Sequence, residues 1–467
     1  IDVENMDSMF KNCTSIENLN INNFYTSKVK NMKSMFESCF SLASIIFDPN
    51  KFDISSVTNM EYMFSGCREL KQFDVSKFNT YLVKNMKYLF KDCQKLETID
   101  VKLFDTKQVT DMSYMFSGCR KVETLDVSNF DTQLITNMKN MFEACTQIKS
   151  LNLLSFDTSK VTNMEKMFSN CQSLKELDIS NFRASLAIKA NKMFEFCVKL
   201  TSIFFHNFGI VKATDISFMF YGCRNLLSLD LTNFKTRKVK DMSFMFYGCT
   251  SLTSINLYDF MTSEVNNMNS MFHSCESLKE INLIKFNTSN VKTMNKMFYN
   301  CKSLISLDLS NFDTINVNQI DLMFYGCFSL TSLKLNFITS SITNMNNLFS
   351  KCHKLKSLNL ETFDTSQVTN MAYMFNECTS LTSLDITNFD TSQVFYMEYM
   401  FNDCNSLTQI DLNFNTYKVK NMAFMFNKCF SLKSLNLSSF NTINVTNMGR
   451  MFASCSSLQE LNLSNFN

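Results

Sequence analysis

Eighteen cysteines at one regular spacing constrain the fold of this chain more than any other feature. Among the 467 residues, successive cysteines are 26 residues apart almost throughout; one step of 28 falls around Pro49, and two steps of 25 fall near Phe337 and Phe414. All of them occupy the same position of a repeat, which predicts eighteen copies of one structural unit. Such a unit buries its apolar face only by stacking on its neighbours, so we expect a solenoid.

Two hydrophobic periods divide each repeat, as residues 161–186 (VTNMEKMFSNCQSLKELDISNFRASL) show. Two Met, the following Phe and Cys171 are spaced i, i+3, i+4 and i+7, which predicts a short helix with one buried stripe. The residue before the first Met is Asn or Asp in 14 of the 18 repeats, where a helix N-cap is expected. Leu177 and Ile179 then alternate with polar residues, which predicts a strand.

A strand, a turn and a helix within 26 residues fit the leucine-rich repeat, whose length is about 20–29 residues. We therefore predict an α/β fold, a leucine-rich repeat solenoid of about 18 repeats. A parallel sheet forms its inner face and short helices form its outer face. Residues 1–467 are expected to form a single solenoid, a segment of a longer array, because neither end shows a polar capping repeat.

The Met, Phe and Cys columns are interpreted as core. Of the 32 Met, 31 lie in the two helix positions, and 36 of the 48 Phe lie in two further positions. The thiols are expected to be buried and free, because helices pack about 8–10 Å apart and a disulfide needs Cα atoms within about 7 Å. The chain has no C-x-x-C motif and only three His in unrelated positions, so we predict no metal site and no cofactor. A regular array also lacks the convergent pocket of an enzyme.

A polar ladder is predicted on the sheet. Asn or Asp stands between the two inward aliphatic residues in 15 of the 18 repeats, and parallel strands lie about 4.8 Å apart. The ladder is either a solvated face or a binding face for calcium, a glycan or a protein, although a linear row does not offer the six to eight oxygens of a calcium site. Phe204 and His206, in the most divergent repeat, are predicted to be exposed beside each other. The candidate binding residues are Asp74, Asp100, Asp126, Asp178, Asp230, Asp308, Asp385, Asp411, Phe204 and His206.

Charge and hydropathy exclude two kinds of partner. Since 45 basic residues face 43 acidic ones, the chain offers no electrostatic case for binding nucleic acid. No run of 18 apolar residues occurs, so no membrane span is predicted in this segment. Five N-x-[ST] sequons would be candidate N-glycosylation sites in a secreted eukaryotic protein: Asn12, Asn287, Asn436, Asn444 and Asn462.

The consensus V-T-N-M-x-x-M-F-x-x-C-x-S-L-x-x-L-D-L-S-N-F-D-T-S resembles the repeat of BspA-like leucine-rich repeat surface proteins, known also from mycoplasmal lipoproteins and protists. The resemblance covers the entire chain and is strongest in residues 111–145, 368–404 and 421–455. It implies an extracellular or cell-surface solenoid that binds a protein or glycan ligand in adhesion, without catalytic residues. A structural filament assembled by head-to-tail self-association is the first alternative. An intracellular scaffold, in which the cytosol keeps the thiols reduced, is the second.

Overall fold

The computed structural model describes residues 2–466, and the chain divides into two compact units, Ile1–Lys238 and Val239–Asn467. Each unit is a parallel β-solenoid with coils of about 26 residues, and the chain has about 17 turns in all. The single-solenoid organisation of residues 1–467 stays a prediction. The strands are β1 (Asn18–Asn20), β2 (Ser44–Ile46), β3 (Glu176–Asp178), β4 (Ser202–Phe204), β5 (Ser228–Asp230), β6 (Ser254–Asn256), β7 (Ser306–Leu309), β8 (Ser332–Leu335), β9 (Ser434–Asn436) and β10 (Glu460–Asn462).

The strands pair in parallel with the equivalent segment of the next coil. In the first unit β1 pairs with β2 and β3 pairs with β4; in the second unit β7 pairs with β8 and β9 pairs with β10. Partners such as Leu177 and Ile203 are 26 residues apart. The parallel pairing predicted from the alternating pattern is confirmed, in short strands of three or four residues that form separate two-stranded sheets.

The predicted outer helices are wrong. Residues 2–466 contain no α-helix; a run of β-turns follows the first Met of each coil and ends at the Cys, and we call this side the turn wall. Along the turn wall, the backbone N–H groups donate alternately to the next coil and to their own coil. The N–H of Phe168 donates to the carbonyl of Met193 in the next coil (2.9 Å), and the N–H of Cys171 donates to the carbonyl of Phe168 in its own coil (3.1 Å). A helix would keep all of these bonds within one coil.

Left-handed backbone conformation at two positions in each coil produces the successive β-turns of the turn wall. Lys166 and Asn170 have φ of 54° and 61°, and the matching positions of other coils hold residues as large as Tyr88. The left-handed region suits the third residue of a type II turn and costs a non-glycine residue about 1–2 kcal/mol. The hydrogen bonds to the next coil offset that cost, so the conformation depends on stacking.

The coils are closely spaced on the turn wall as well as on the strand side. Ring centres of Phe116 and Phe142 are 5.8 Å apart, and those of Phe130 and Phe156, at the strand-side corner, are 6.4 Å apart, with interplanar angles of 8° in both pairs. A helical spacing of about 8–10 Å does not fit these values. The same inward stripe of Met, Phe and Cys is therefore buried by turns instead of helices.

The core prediction for Met, Phe and Cys is confirmed. Most Met and Phe of these columns are buried, the exceptions including Met9 and Met448. All 18 thiols are free, although the helix spacing from which we expected this is wrong. From Cys39 onward, the thiols point to the preceding coil: Sγ of Cys171 donates to the carbonyl of Phe142 (3.1 Å), which also accepts the N–H of Cys145 (3.2 Å). Burial raises the pKa of Cys145 to about 12, so this thiol stays protonated.

Side chains also hold the corners of each coil. The Asn163 side-chain oxygen accepts the N–H of Glu165 (3.0 Å), so the predicted cap exists, but it caps a β-turn. In most coils, a buried Thr after the strand segment bridges two coils; Ala184 and Ile210 take its place after β3 and β4. Thr132 Oγ1 donates to the carbonyl of Asp157 (2.9 Å) and accepts the N–H of that residue (2.7 Å). These contacts fix the register of neighbouring coils.

Candidate binding surface on the strand face

The strand face is the surface formed by the outward side chains of the strands and of the equivalent segments in other coils. All ten predicted binding residues are exposed on it, including Phe204 and His206. In the paired strands, Asp178 stands opposite Phe204 and Asp308 stands opposite Lys334. Lys334 replaces the usual Asn or Asp of the ladder. Its Nζ lies 3.4 Å from Asp308 Oδ2, so its positive charge balances the negative charge of Asp308.

The ladder carboxylates and amides bind the turn that follows them in their own coil. Asp126 Oδ1 accepts both the N–H (3.1 Å) and the hydroxyl (2.6 Å) of Ser128. Asn152 Oδ1 accepts the N–H of Leu154 (3.3 Å) in the same way. One side-chain oxygen is therefore what the fold requires, and Asn and Asp both supply it.

These hydrogen bonds also set the charge of the face. The hydroxyl and N–H of Ser128 hold the pKa of Asp126 below its usual value, and those of Thr387 do the same for Asp385. Both carboxylates are therefore ionised at neutral pH. The ladder was predictable from the sequence, but its bonds to the following turn were not predicted, although a Ser or Thr two residues after the Asp was the available signal.

Two shallow depressions bring ladder residues of neighbouring coils together. In the second unit, a depression of about 730 Å³ crosses three coils and includes Asn359, Asp385 and Asp411. In the first unit, a depression of about 550 Å³ lies beside the insertion and includes Asp74 and Asp100. The lining of neither depression includes Asp126, Asp178, Asp230, Asp308, Phe204 or His206.

Phe204 is an exposed aromatic side chain on the strand face of the first unit. It is 53% exposed, whereas Phe205 turns inward, with its ring centre 5.0 Å from that of Phe234. The alternation expected of a strand therefore holds through this divergent repeat. The exposed ring adds an apolar contact to a face otherwise made of carboxylates, amides and hydroxyls.

A row of stacked rings on the turn wall was missed by the sequence analysis. His273 stacks between Tyr247 (4.1 Å between ring centres) and Tyr299 (4.4 Å). Burial, followed by the charge of Lys296, lowers the pKa of His273 to about 4, so the imidazole is neutral at pH 7. The signal was the recurrence of Tyr or His two residues before Cys in successive repeats.

Residues 2–466 carry neither a cluster of metal ligands nor a membrane-spanning helix. No group of three or more His, Cys, Asp or Glu side chains in residues 2–466 is arranged to hold a metal ion. Nor does any helix in that range have the length and apolarity needed to cross a bilayer. What the strand face offers is charge, hydrogen bonding and a few exposed apolar groups.

The five sequon asparagines are all exposed. Their side-chain amides differ: Asn444 Nδ2 donates to the carbonyl of Tyr417 in the preceding coil (2.7 Å), whereas Asn436 uses its Oδ1 to accept the N–H of Ser438 (3.1 Å). A glycan on Asn444 would attach to the nitrogen that makes this inter-coil hydrogen bond, whereas the turn at Asn436 uses the side-chain oxygen, which a glycan leaves free. Glycosylation at these sites stays a prediction.

A family model described as "Mycoplasma protein of unknown function, DUF285" matches the sequence over residues 4–125, 110–229, 214–337, 332–432 and 384–467. The chain belongs to this family. The resemblance to mycoplasmal repeat proteins, drawn from the 26-residue consensus, is thereby confirmed. The comparisons indicate no catalytic family. No protein of curated function matches the sequence.

Several solved structures are similar to the chain at low sequence identity. A leucine-rich repeat protein from Bacteroides ovatus has 19% identity, with 87% of this chain and 82% of that chain covered and a TM-score of 0.35. A leucine-rich cell surface protein from Faecalibacterium prausnitzii has 13% identity, coverages of 96% and 83% and a TM-score of 0.34. A leucine-rich repeat protein from Eubacterium ventriosum has 16% identity, coverages of 90% and 84% and a TM-score of 0.29. The family assignment rests on the sequence match.

Proposed function

We propose that this protein is a non-enzymatic, extracellular or cell-surface binding protein that acts in adhesion through its strand face. The observation that carries the proposal is the depression of about 730 Å³ that crosses three coils of the second unit. It presents Asp385 and Asp411 in adjacent coils, together with the amide of Asn359. A surface of carboxylates and amides binds a partner without chemical change.

The ligand in this proposal is a protein or a glycan. Carboxylates in register select positively charged groups, and the amide and hydroxyl groups between them hydrogen-bond to peptide or sugar. Strands about 4.8 Å apart repeat the same groups along the coil stack, which suits a long, extended ligand. The exposed ring of Phe204 offers a second contact in the first unit.

The test is binding to a panel of immobilised extracellular matrix proteins and mucin glycans. The double variant Asp385→Lys/Asp411→Lys reverses two charges in the depression, and Asp385→Asn/Asp411→Asn is its matched control, because Asn retains the oxygen that Thr387 bonds. We expect the lysine variant to lose binding and the asparagine variant to retain more of it. Unchanged binding in both variants, with folding verified by circular dichroism, would contradict the proposal.

Head-to-tail filament assembly is the alternative function. It is favoured by the backbone ladder, in which each coil offers the next the same pattern of donors and acceptors, so a second copy could continue the pattern. Sedimentation and electron microscopy test it: filaments in the purified protein support assembly, and a concentration-independent monomer contradicts it. The intracellular scaffold is a further alternative, consistent with eighteen free thiols.

A further inference from the structure

Four basic side chains lie at one strand-side corner of the first unit, in the segments that follow the neighbouring strands β4 and β5. We define the basic corner as Lys212, Lys235, Arg237 and Lys238, all of which are exposed. Three of them fall within four consecutive residues, and Lys212 occupies the position of Lys238 one coil earlier. Two neighbouring coils therefore present cations at the same corner.

Buried residues hold the backbone of the basic corner in place. Phe234 and Thr236 are fully buried, whereas Lys235 between them is exposed. Residues 237–238 form the exposed turn that follows. The ring centres of Phe208 and Phe234 are 5.2 Å apart, so the two coils are in close contact just before their basic residues. The cations thus project from a backbone that packing keeps in register.

The same corner in another coil of this unit has a balanced charge. Lys107 occupies the position of Arg237, and Asp105 occupies the position of Lys235. Lys107 Nζ lies 3.9 Å from Asp105 Oδ2, and Asp105 Oδ1 accepts the backbone N–H of Lys107 (3.0 Å). An aspartate at this position therefore stabilises the turn and also compensates the neighbouring cation.

The basic corner lacks this aspartate. A lysine side chain has no acceptor, so Lys235 supplies neither the oxygen that bonds the turn nor the negative charge. Within residues 2–466, none of the four basic side chains of this corner forms an ion pair with a carboxylate. Uncompensated cations in one place repel one another, and an anionic ligand relieves that repulsion. Because the turn itself favours aspartate, the lysine points to a role in binding.

We propose that the basic corner binds a sulfated polysaccharide. Lysine and arginine form charge-assisted hydrogen bonds with anionic oxygens, and a short cluster of them is typical of patches that bind heparin or nucleic acid. Cations spread over two coils suit charges repeated along a chain better than a single anion. Residues 209–213 and 235–238 contain no aromatic side chain on which a nucleic acid base could stack, which favours the polysaccharide. The corner lies outside the acidic ladder, so this proposal does not depend on the function proposed for the strand face.

The experiment measures binding of a fluorescein-labelled heparin dodecasaccharide to the full chain by fluorescence anisotropy. The double variant Arg237→Gln/Lys238→Gln removes two of the four charges and should weaken binding at least about tenfold. Lys107→Gln is the matched control, because it removes a cation that Asp105 already compensates, and it should leave binding unchanged. Equal affinity of the wild type and the double variant would overturn the proposal, as would an absence of heparin binding to the wild type.

A substitution at Lys235 tests the importance of the missing carboxylate. Lys235→Asp introduces the residue that the corner of Lys107 has, with its turn-bonding oxygen, so the variant should fold and should bind heparin more weakly than Lys235→Gln does. Thermal unfolding followed by circular dichroism verifies that both variants fold. If Lys235→Asp binds heparin as tightly as the wild type, the proposal fails.

The class of ligand is tested with two other polyanions. Chemically desulfated heparin of the same length keeps its carboxylates and should bind at least about tenfold more weakly; equal binding would overturn the assignment to sulfate groups. A single-stranded oligodeoxynucleotide of matched charge should also bind more weakly than heparin. If it binds more tightly and the double variant Arg237→Gln/Lys238→Gln loses that binding, the ligand is a nucleic acid and the proposal is overturned.

Discussion

The buried hydroxyl of Thr132 should contribute more to stability than its methyl group. Thr132→Val keeps the shape of the side chain and removes the hydroxyl, which leaves both the N–H and the carbonyl of Asp157 without their partner. Each unpaired buried backbone group costs about 1–3 kcal/mol, so the free energy of unfolding should fall by about 2–6 kcal/mol. Thr132→Ser keeps the hydroxyl and loses one buried methyl group, at about 1 kcal/mol. The side chain is only 1% exposed, so water cannot substitute for it.

Urea unfolding followed by circular dichroism measures the two changes, and amide hydrogen exchange at Asp157 locates them. Exchange at Asp157 should accelerate in Thr132→Val and stay close to the wild type in Thr132→Ser. If the valine variant is as stable as the serine variant, the inter-coil bonds of this hydroxyl have no net effect on stability, and the threonine column does not stabilise the stack through its hydroxyl groups.

Three further predictions concern the turn wall. Gly118 has φ of 78°, and an added Cβ would lie 2.5 Å from Asp92 Oδ1, so Gly118→Ala should lower the urea midpoint. Conversely, Lys428→Gly should raise the free energy of unfolding by about 1 kcal/mol, because glycine adopts the left-handed φ of 59° at this position without strain. His273→Tyr should remove a pH dependence of stability. The folded-state pKa of His273, about 4, lies below the ordinary 6.5, so the stability that the neutral imidazole contributes is present above pH 6.5 and is lost as the pH falls towards 4. Equal acid sensitivity of the urea midpoint in the wild type and the variant would count against this prediction. Asn163→Ala should cost about 1 kcal/mol in urea unfolding and Asn163→Asp far less, since aspartate also accepts the N–H of Glu165; an equal loss would refute the cap.

The period, the core columns and the parallel strands could be predicted from the sequence, because each depends on residue spacing alone. The helices could not. Spacing of i, i+3, i+4 and i+7 in residues 164–171 describes which side chains point inward, and a ribbon of turns meets that requirement as well as a helix does. The deciding factor is left-handed backbone at residues such as Tyr88, which stacking stabilises and which local propensity disfavours.

The candidate site was predictable as a surface and not as a set of contacts. Alternation in the predicted strand segments places Asp126 and Asp385 outside, and the structure leaves both side chains exposed. Their bonds to the following Ser or Thr depend on the turn geometry, which the consensus does not specify.

The interchange of Asn and Asp along the strand face has a genetic consequence. The codons of these two residues differ by a single nucleotide, and both side chains supply the oxygen that closes the turn. A point mutation can therefore add or remove one negative charge at a chosen coil with the turn preserved. The charge pattern of this surface can therefore change one coil at a time during evolution, and each single-substitution variant along the way still folds.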